Sequence, residues 1–213
     1  MRSHSSSRRP WLNWLAAVAA GVLIVAPTVC SAQSAELAGV HYPATQKLDG
    51  QEMVLNGSGI SYRAVAKLYT VALYVPRKSN KASAILGEAG PRQLRIVMLQ
   101  AMRVDELNRV INTGIEANSS RDEFFALVPA IQKMSDQFGL LPRLTKGSVI
   151  TIDGSPKQGT MLALNGNPMG PAIEDPRLFN AILRVWLGDK PNSEVLKDAL
   201  LSYTPPPVLN ALD

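Results

Sequence analysis

LNGSGISYRAVAKLYTVALYVP, residues 55–76, reads as β structure throughout. It is rich in Val, Leu and Tyr, which suit a pleated, half-buried surface, and Gly57 and Gly59 permit a turn or a bulge. Extended back to Gln51, the segment predicts two or three strands over 51–76. Between 60 and 70 the period-two alternation puts Ser61, Arg63, Val65, Lys67 and Tyr69 on one face. Tyr62, Ala64, Ala66, Leu68 and Thr70 fall on the other, which suits a core contact. The first face lines up two cations and a phenol. It is either a solvated face or a face partly roofed by helices, leaving a cleft with a positive rim where an arginine can fork onto a carboxylate or phenolate.

Outward from this stretch, Lys81–Leu86 predicts a short helix ended by Gly87 or Gly90, and 93–101 (QLRIVMLQA) a further strand. At Val104 the period changes: Val104, Leu107, Val110, Ile111 and Ile115 give an amphipathic helix over about 104–118. Ser120 and Glu123 form a capping box for a second helix, closed by Gly139, with Pro129 inside it predicting a kink. Strands return at Ser148–Asp153 and Thr160–Leu164, followed by the hairpin signal Asn165-Gly166. Asp175-Pro176 predicts the start of a helix running through Trp186 to Gly188. Ser193 caps a last helix over 194–203, and Pro205–Pro207 ends the fold. Strands, paired helices, a hairpin and two more helices make an α+β order, with a large antiparallel sheet and helices packed on one face.

The first 33 residues have a different character. Arg2, Arg8 and Arg9, with no acidic residue, precede the apolar run WLNWLAAVAAGVLIVAP and the small residues TVCSAQSA. This is the pattern of a cleavable signal peptide, with cleavage expected near Ala32 or a few residues later. A membrane anchor is the rival, since the run nears the lower limit of about 17 residues for a span. A lipoprotein signal is disfavoured, because Val29 rather than a small residue precedes Cys30. Ser7–Leu12 (SRRPWL) resembles a twin-arginine export signal, and Sec export fits equally. The expected organisation is a signal peptide over 1–33, one domain over 34–204 and a Pro-rich tail over 205–213. The expected location is the periplasm, with membrane contact only through the signal segment before cleavage.

Removing the leader narrows the chemistry. It takes Cys30, His4, Trp11 and Trp14, so that residues 34–213 hold no cysteine and one histidine, His41. A thiol nucleophile, a Cys/His zinc site, a disulfide framework and a His-pair metal centre are then excluded. The net charge falls from +5 to +2, with 19 basic and 17 acidic residues, which gives no electrostatic case for nucleic acid. About 180 residues suffice for one domain burying about 70% of its unfolded surface. Neither a Gly-rich phosphate loop, a nucleophile elbow nor a metal-spaced carboxylate set is present, and no cofactor is expected.

Helix 104–118 offers an opposite wall to the strand face: Glu106, Arg109 and Thr113 form roughly one stripe, Asn108 and Asn112 an adjacent one. An ordinary exposed helix face is the alternative. The segments 55–76, 146–167 (KGSVITIDGSPKQGTMLALNGN) and 175–201 (DPRLFNAILRVWLGDKPNSEVLKDALL) resemble the chalcone isomerase-like family, specifically its exported bacterial branch. The likeness spans nearly all of 38–203. It rests on the combination of a G-x-G strand leading into LYTVALYV with a terminal WLGDKP-plus-helix block. It implies an open-faced β-sandwich of α+β type with a ligand cleft between sheet and helices.

The family holds isomerases that close a chalcone to a flavanone by intramolecular oxa-Michael addition, fatty-acid-binding relatives and members of no known activity. In the isomerases, the resemblance implies an early-strand arginine holding the phenolate. A helix tyrosine, lysine and asparagine and a late hydroxyl position the ketone. Here Ser61 stands at the arginine position and Arg63, two residues on, is the substitute; Glu106 and Arg109 fall at the tyrosine and lysine positions. Thr113 falls near the asparagine position, Phe179 replaces the late hydroxyl, and Tyr69 matches the strand hydroxyl facing the cleft. An acidic Glu106 is a poor electrophilic helper unless protonated, so the catalytic set is incomplete and no catalytic residue is assigned. The expected function is a non-catalytic protein binding a small amphipathic ligand, a fatty acid or phenolic compound. Its ligand-binding residues are Arg63, Lys67, Tyr69, Glu106, Arg109, Thr113 and Phe179. An intramolecular lyase or isomerase acting on a chalcone-like α,β-unsaturated ketone is the alternative.

Overall fold

The computed structural model describes residues 34–141 and 143–202; the leader and the Pro-rich tail lie outside the described residues. Seven strands form one antiparallel meander in sequence order: β3 (Thr45–Leu48), β4 (Gln51–Arg63), β5 (Ala66–Val75), β6 (Arg92–Met98), β7 (Val149–Ser155), β8 (Gly159–Leu164) and β9 (Asn167–Pro168). A separate hairpin, β1 (Ala35–Leu37) and β2 (Val40–Tyr42), precedes them. The helices are α1 (Ala82–Leu86), α2 (Val104–Ala117), α3 (Arg121–Gly139), α4 (Leu178–Leu187) and α5 (Glu194–Leu200). The architecture is the expected α+β one.

The alternation of β5 shows how the sheet is buried on both sides. Tyr69, Val71, Leu73 and Val75 enter the core beneath the helices, alongside Leu94, Ile96, Met98, Ile150 and Ile152. Ala72 and Tyr74 enter a smaller cluster on the opposite face, with Tyr42, Met53, Leu55 and Val97, against which the β1–β2 hairpin packs. On that face the Tyr42 and Thr70 hydroxyls lie 2.6 Å apart, and the Tyr74 hydroxyl donates to the Pro43 carbonyl.

Strand β4 is bent by a bulge at Asn56, between the pairs Leu55–Tyr74 and Gly57–Leu73. The Asn56 amide donates to the Leu200 and Ser79 carbonyls and its oxygen accepts from the Ser79 N–H, tying α5 to the loop after β5. Gly57 and Gly59 are there because α5 lies on them. A Cβ at Gly57 would sit 2.4 Å from the Ala199 carbonyl oxygen, and one at Gly59 2.5 Å from Leu196 Cδ1. Helix α4 is the apolar hub; eight of its residues are buried, from Leu178 to Leu187. Fully burying one such side chain contributes about 1.5–3 kcal/mol.

Three expectations about elements need correction. Residues 60–70 are not one strand: β4 ends at Arg63 and β5 begins at Ala66, with a turn at Ala64-Val65 in which Ala64 has φ +51°. The alternation read across 60–70 therefore breaks in the middle. The helix expected from Asp175 begins at Leu178. Asp175 instead closes a turn before it, its carboxylate accepting the Arg177 backbone N–H and pairing with the Arg177 guanidinium. The last helix, expected over 194–203, ends at Leu200. Ser120 and Ser193 cap α3 and α5 as expected, accepting from the Glu123 and Leu196 N–H groups.

Candidate ligand site

Ser61 and Tyr69 are directly opposed across the β4–β5 ladder, and a register shift follows at once between Ser61 and Tyr62. Ser61 is buried, and the Tyr69 side chain enters the core beneath the helices at 1% exposure. Its hydroxyl makes no hydrogen bond of normal geometry. The side chains of Ser61, Trp186 and Asn192 nevertheless lie close enough to favour its ionised form. Burial outweighs them and pushes the Tyr69 phenol above its ordinary range. The indole Nε1 of Trp186, wholly buried on α4, also lacks an acceptor.

Two orphaned polar atoms side by side in an apolar core are expensive. Each costs about 1–3 kcal/mol. An oxygen placed between them could accept from both donors.

The remaining residues expected at the site do not join this cluster. Arg63, 60% exposed at the end of β4, forms an ion pair with Glu106 in the first turn of α2. That pair holds the β4–β5 hairpin against α2, two residues beyond Ser61. Lys67 is exposed on the far side of the turn, its carbonyl accepting from the Gln100 amide. Arg109 and Thr113 are exposed on α2, Arg109 reaching Asp105 at 4.0 Å. Asn108 and Asn112 face α3 instead, both meeting the Ser135 hydroxyl.

Phe179 lies elsewhere. It stands seven residues before Trp186 on α4, about 10 Å along the helix axis. A Cβ at Gly154 would sit 2.2 Å from its ring, and the Arg92 guanidinium lies 5.3 Å from the ring centroid. Arg92 and Phe179 share a cleft of about 630 Å³ with Thr160 and Lys157. There Arg92 donates to the Ile85, Leu86 and Asn180 oxygens, capping the C-terminus of α1, and its burial lowers its pKa.

The expected convergence of Arg63 and Tyr69 in one apolar recess is therefore not what the chain builds. The turn at Ala64-Val65 separates them, leaving the guanidinium outside and the phenol inside. Trp186 was legible only as a core residue of α4. Its one polar atom was the available signal, because a buried indole N–H usually finds a partner. Among the described residues no group of His, Cys, Asp and Glu is placed to hold a metal ion.

A family model described as chalcone isomerase-like matches residues 34–202. Among solved structures, a fatty-acid binding protein of Arabidopsis thaliana superposes with a TM-score of 0.61 at 16% identity, covering 80% of this chain and 97% of that one. None of the curated proteins matches the chain. Matched from its first described strand to the end of its last helix, the chain belongs to the chalcone isomerase-like family.

Proposed function

We infer that the protein is a non-catalytic carrier of a small amphipathic anion, a fatty acid in the first instance, with its head group held at Tyr69 and Trp186. The observation that supports this most directly is the pair of buried, unpartnered polar atoms on those residues. A carboxylate oxygen satisfies both at once. Ser61, where the isomerases of the family carry an arginine, adds a further hydroxyl. Arg63 and Glu106 form the rim; their ion pair has to yield for cargo to pass between the hairpin and α2. The structural neighbour that binds fatty acid lends weight to this choice of ligand.

The enzymatic alternative, an intramolecular lyase or isomerase, has less support. Glu106 is engaged with Arg63, while Arg109 and Thr113 face outward, so the family's ketone-positioning groups do not meet. The leader pattern supports export to the periplasm. Retention of labelled fatty acid by residues 34–213, and its weakening in Tyr69→Phe, tests the carrier reading. Cyclisation of hydroxychalcones faster than the spontaneous rate would reverse it in favour of the lyase.

A further inference from the structure

The end of the sheet where β4, β6 and β8 finish concentrates charge and exposed apolar surface together. Three segments meet there: 62–67 at the β4–β5 turn, 99–106 from the end of β6 into the first turn of α2, and 143–148 leading into β7. The Lys67 carbonyl accepts from Gln100, Met102 and Leu144 exchange backbone hydrogen bonds, and the Gly147 N–H donates to Met98. The three segments carry Arg63, Lys67, Arg103, Arg143 and Lys146 against only Asp105 and Glu106, a net of +3. That equals the +3 of the whole domain over residues 34–204, so the rest of the domain is electrically neutral. Both acids are already engaged, Asp105 by Arg103 and Glu106 by Arg63. Lys67, Arg143 and Lys146 make no ion pair among the described residues.

The same end displays apolar side chains. Tyr62 is 51% exposed, Val65 95% at the tip of the turn, and Leu140 76% just before the third segment. These are three of the six large apolar residues exposed among the described residues. Aliphatic and aromatic groups ringed by unpaired cations match an anionic lipid–water interface, where the rings sit at head-group level and the cations meet phosphate. No helix among the described residues is long and apolar enough to cross a membrane, so contact would be peripheral.

We propose that this end of the sheet docks on an anionic lipid bilayer, with the β4–β5 turn as the inserting tip. The proposal rests on the carrier reading only for the choice of partner, a membrane being the source or sink of acyl cargo. Ser61 and Tyr69 stand immediately behind the tip, so a docked molecule would present its cargo site to the bilayer.

Co-sedimentation of residues 34–213 with lipid vesicles tests this. Vesicles containing phosphatidylglycerol should bind, phosphatidylcholine alone should not, and added salt should release the protein. Lys67→Ala, Arg143→Ala and Lys146→Ala should each weaken binding about fivefold, and Val65→Asp should weaken it further, all with unchanged thermal unfolding. Equal binding to both vesicle types, no binding to either, or indifference to these variants overturns the proposal. Binding to polyglutamate as tight as to vesicles overturns it in favour of an acidic protein partner. Tyr69→Phe separates the two readings. It should still sediment with vesicles, so vesicle binding that survives while no fatty acid is ever retained sinks the cargo and leaves the docking surface.

Discussion

The Tyr69 hydroxyl and the Trp186 indole N–H come together beneath the helices with neither bonded to a partner, one on β5 and the other on α4. Ser61 and Asn192 approach the Tyr69 hydroxyl without forming a bond of normal geometry, and the core around the pair is otherwise apolar. This gives mutation an uncommon signature at Tyr69. Removing a buried hydroxyl that bonds to nothing should leave the empty protein as stable as before or slightly more so. The same change should weaken fatty-acid binding about tenfold, the value of one hydrogen bond to a charged group. Thermal unfolding and ligand titration of Tyr69→Phe, run side by side, check both.

Gly57→Ala should be costly for a reason unrelated to ligand. Its Cβ would meet the Ala199 and Leu200 carbonyl oxygens at 2.4 and 2.6 Å, and backbone at the end of α5 has little room to retreat. A loss of about 1–3 kcal/mol is expected, as for other overpacked sites. Gly139→Ala is the control. A Cβ there meets nothing within 4 Å, and helix propensity makes the change neutral or stabilising. Denaturant midpoints of the two variants against the parent decide the matter.

These two glycines also show what was legible in the chain and what was not. The G-x-G spacing pointed to a special backbone site, and it is one, but its cause is the carbonyl end of α5 about 140 residues away. Period and turn chemistry found α2, α3 and the β8–β9 hairpin, because Asn165-Gly166 and the Ser120 cap are local devices. The β3–β4 hairpin went unread although Asp49-Gly50, both with positive φ, is an equally strong signal. The Ala64-Val65 turn carried no signal, since nothing in Ala-Val announces a reversal. That single turn separates the two residues, leaving Arg63 exposed and Tyr69 buried. The β1–β2 hairpin, with strands of three residues, was too short for any period to show.

Arg63→Ala should change little. Its pair with Glu106 is well exposed, 60% and 32%, and exposed pairs contribute about 0–1 kcal/mol. Fatty-acid affinity should fall less than threefold, while the release rate should rise if the pair restrains the hairpin. Stopped-flow release of a fluorescent fatty acid checks this; a loss of affinity as large as that of Tyr69→Phe would return the anchor to the guanidinium.

Stability should fall at high pH through the buried phenols. Burial raises the pKa values of Tyr42, Tyr69 and Tyr74 above the ordinary 10.0, that of Tyr74 to about 12. A raised phenol pKa favours the neutral form in the folded state. The stabilisation is therefore complete below pH 10 and is lost as pH rises towards 12. Tyrosinate absorbance should lag behind that of free tyrosine and rise together with the loss of circular dichroism.

Asp153 follows the same sign in a lower pH range. Burial raises its pKa, partly offset by the Gln93 amide at 2.7 Å and reinforced by the charge of Asp49. Its ionisation costs folded-state stability once pH exceeds the usual carboxylate range. Asp153→Asn keeps the acceptor oxygen and should raise the melting temperature at pH 7, with the gain shrinking as pH falls below the pKa of free Asp. An equal gain at all pH values would show that charge is not the cause.

Trp186 is the sole tryptophan of residues 34–213, which makes its fluorescence a direct reporter on the atoms that the carrier reading depends upon. Titration of that fragment with a long-chain fatty acid should shift the Trp186 emission saturably, with a matching loss of response in Tyr69→Phe. Emission that stays constant while a fatty acid binds elsewhere, or the absence of any binding across chain lengths, would contradict the account.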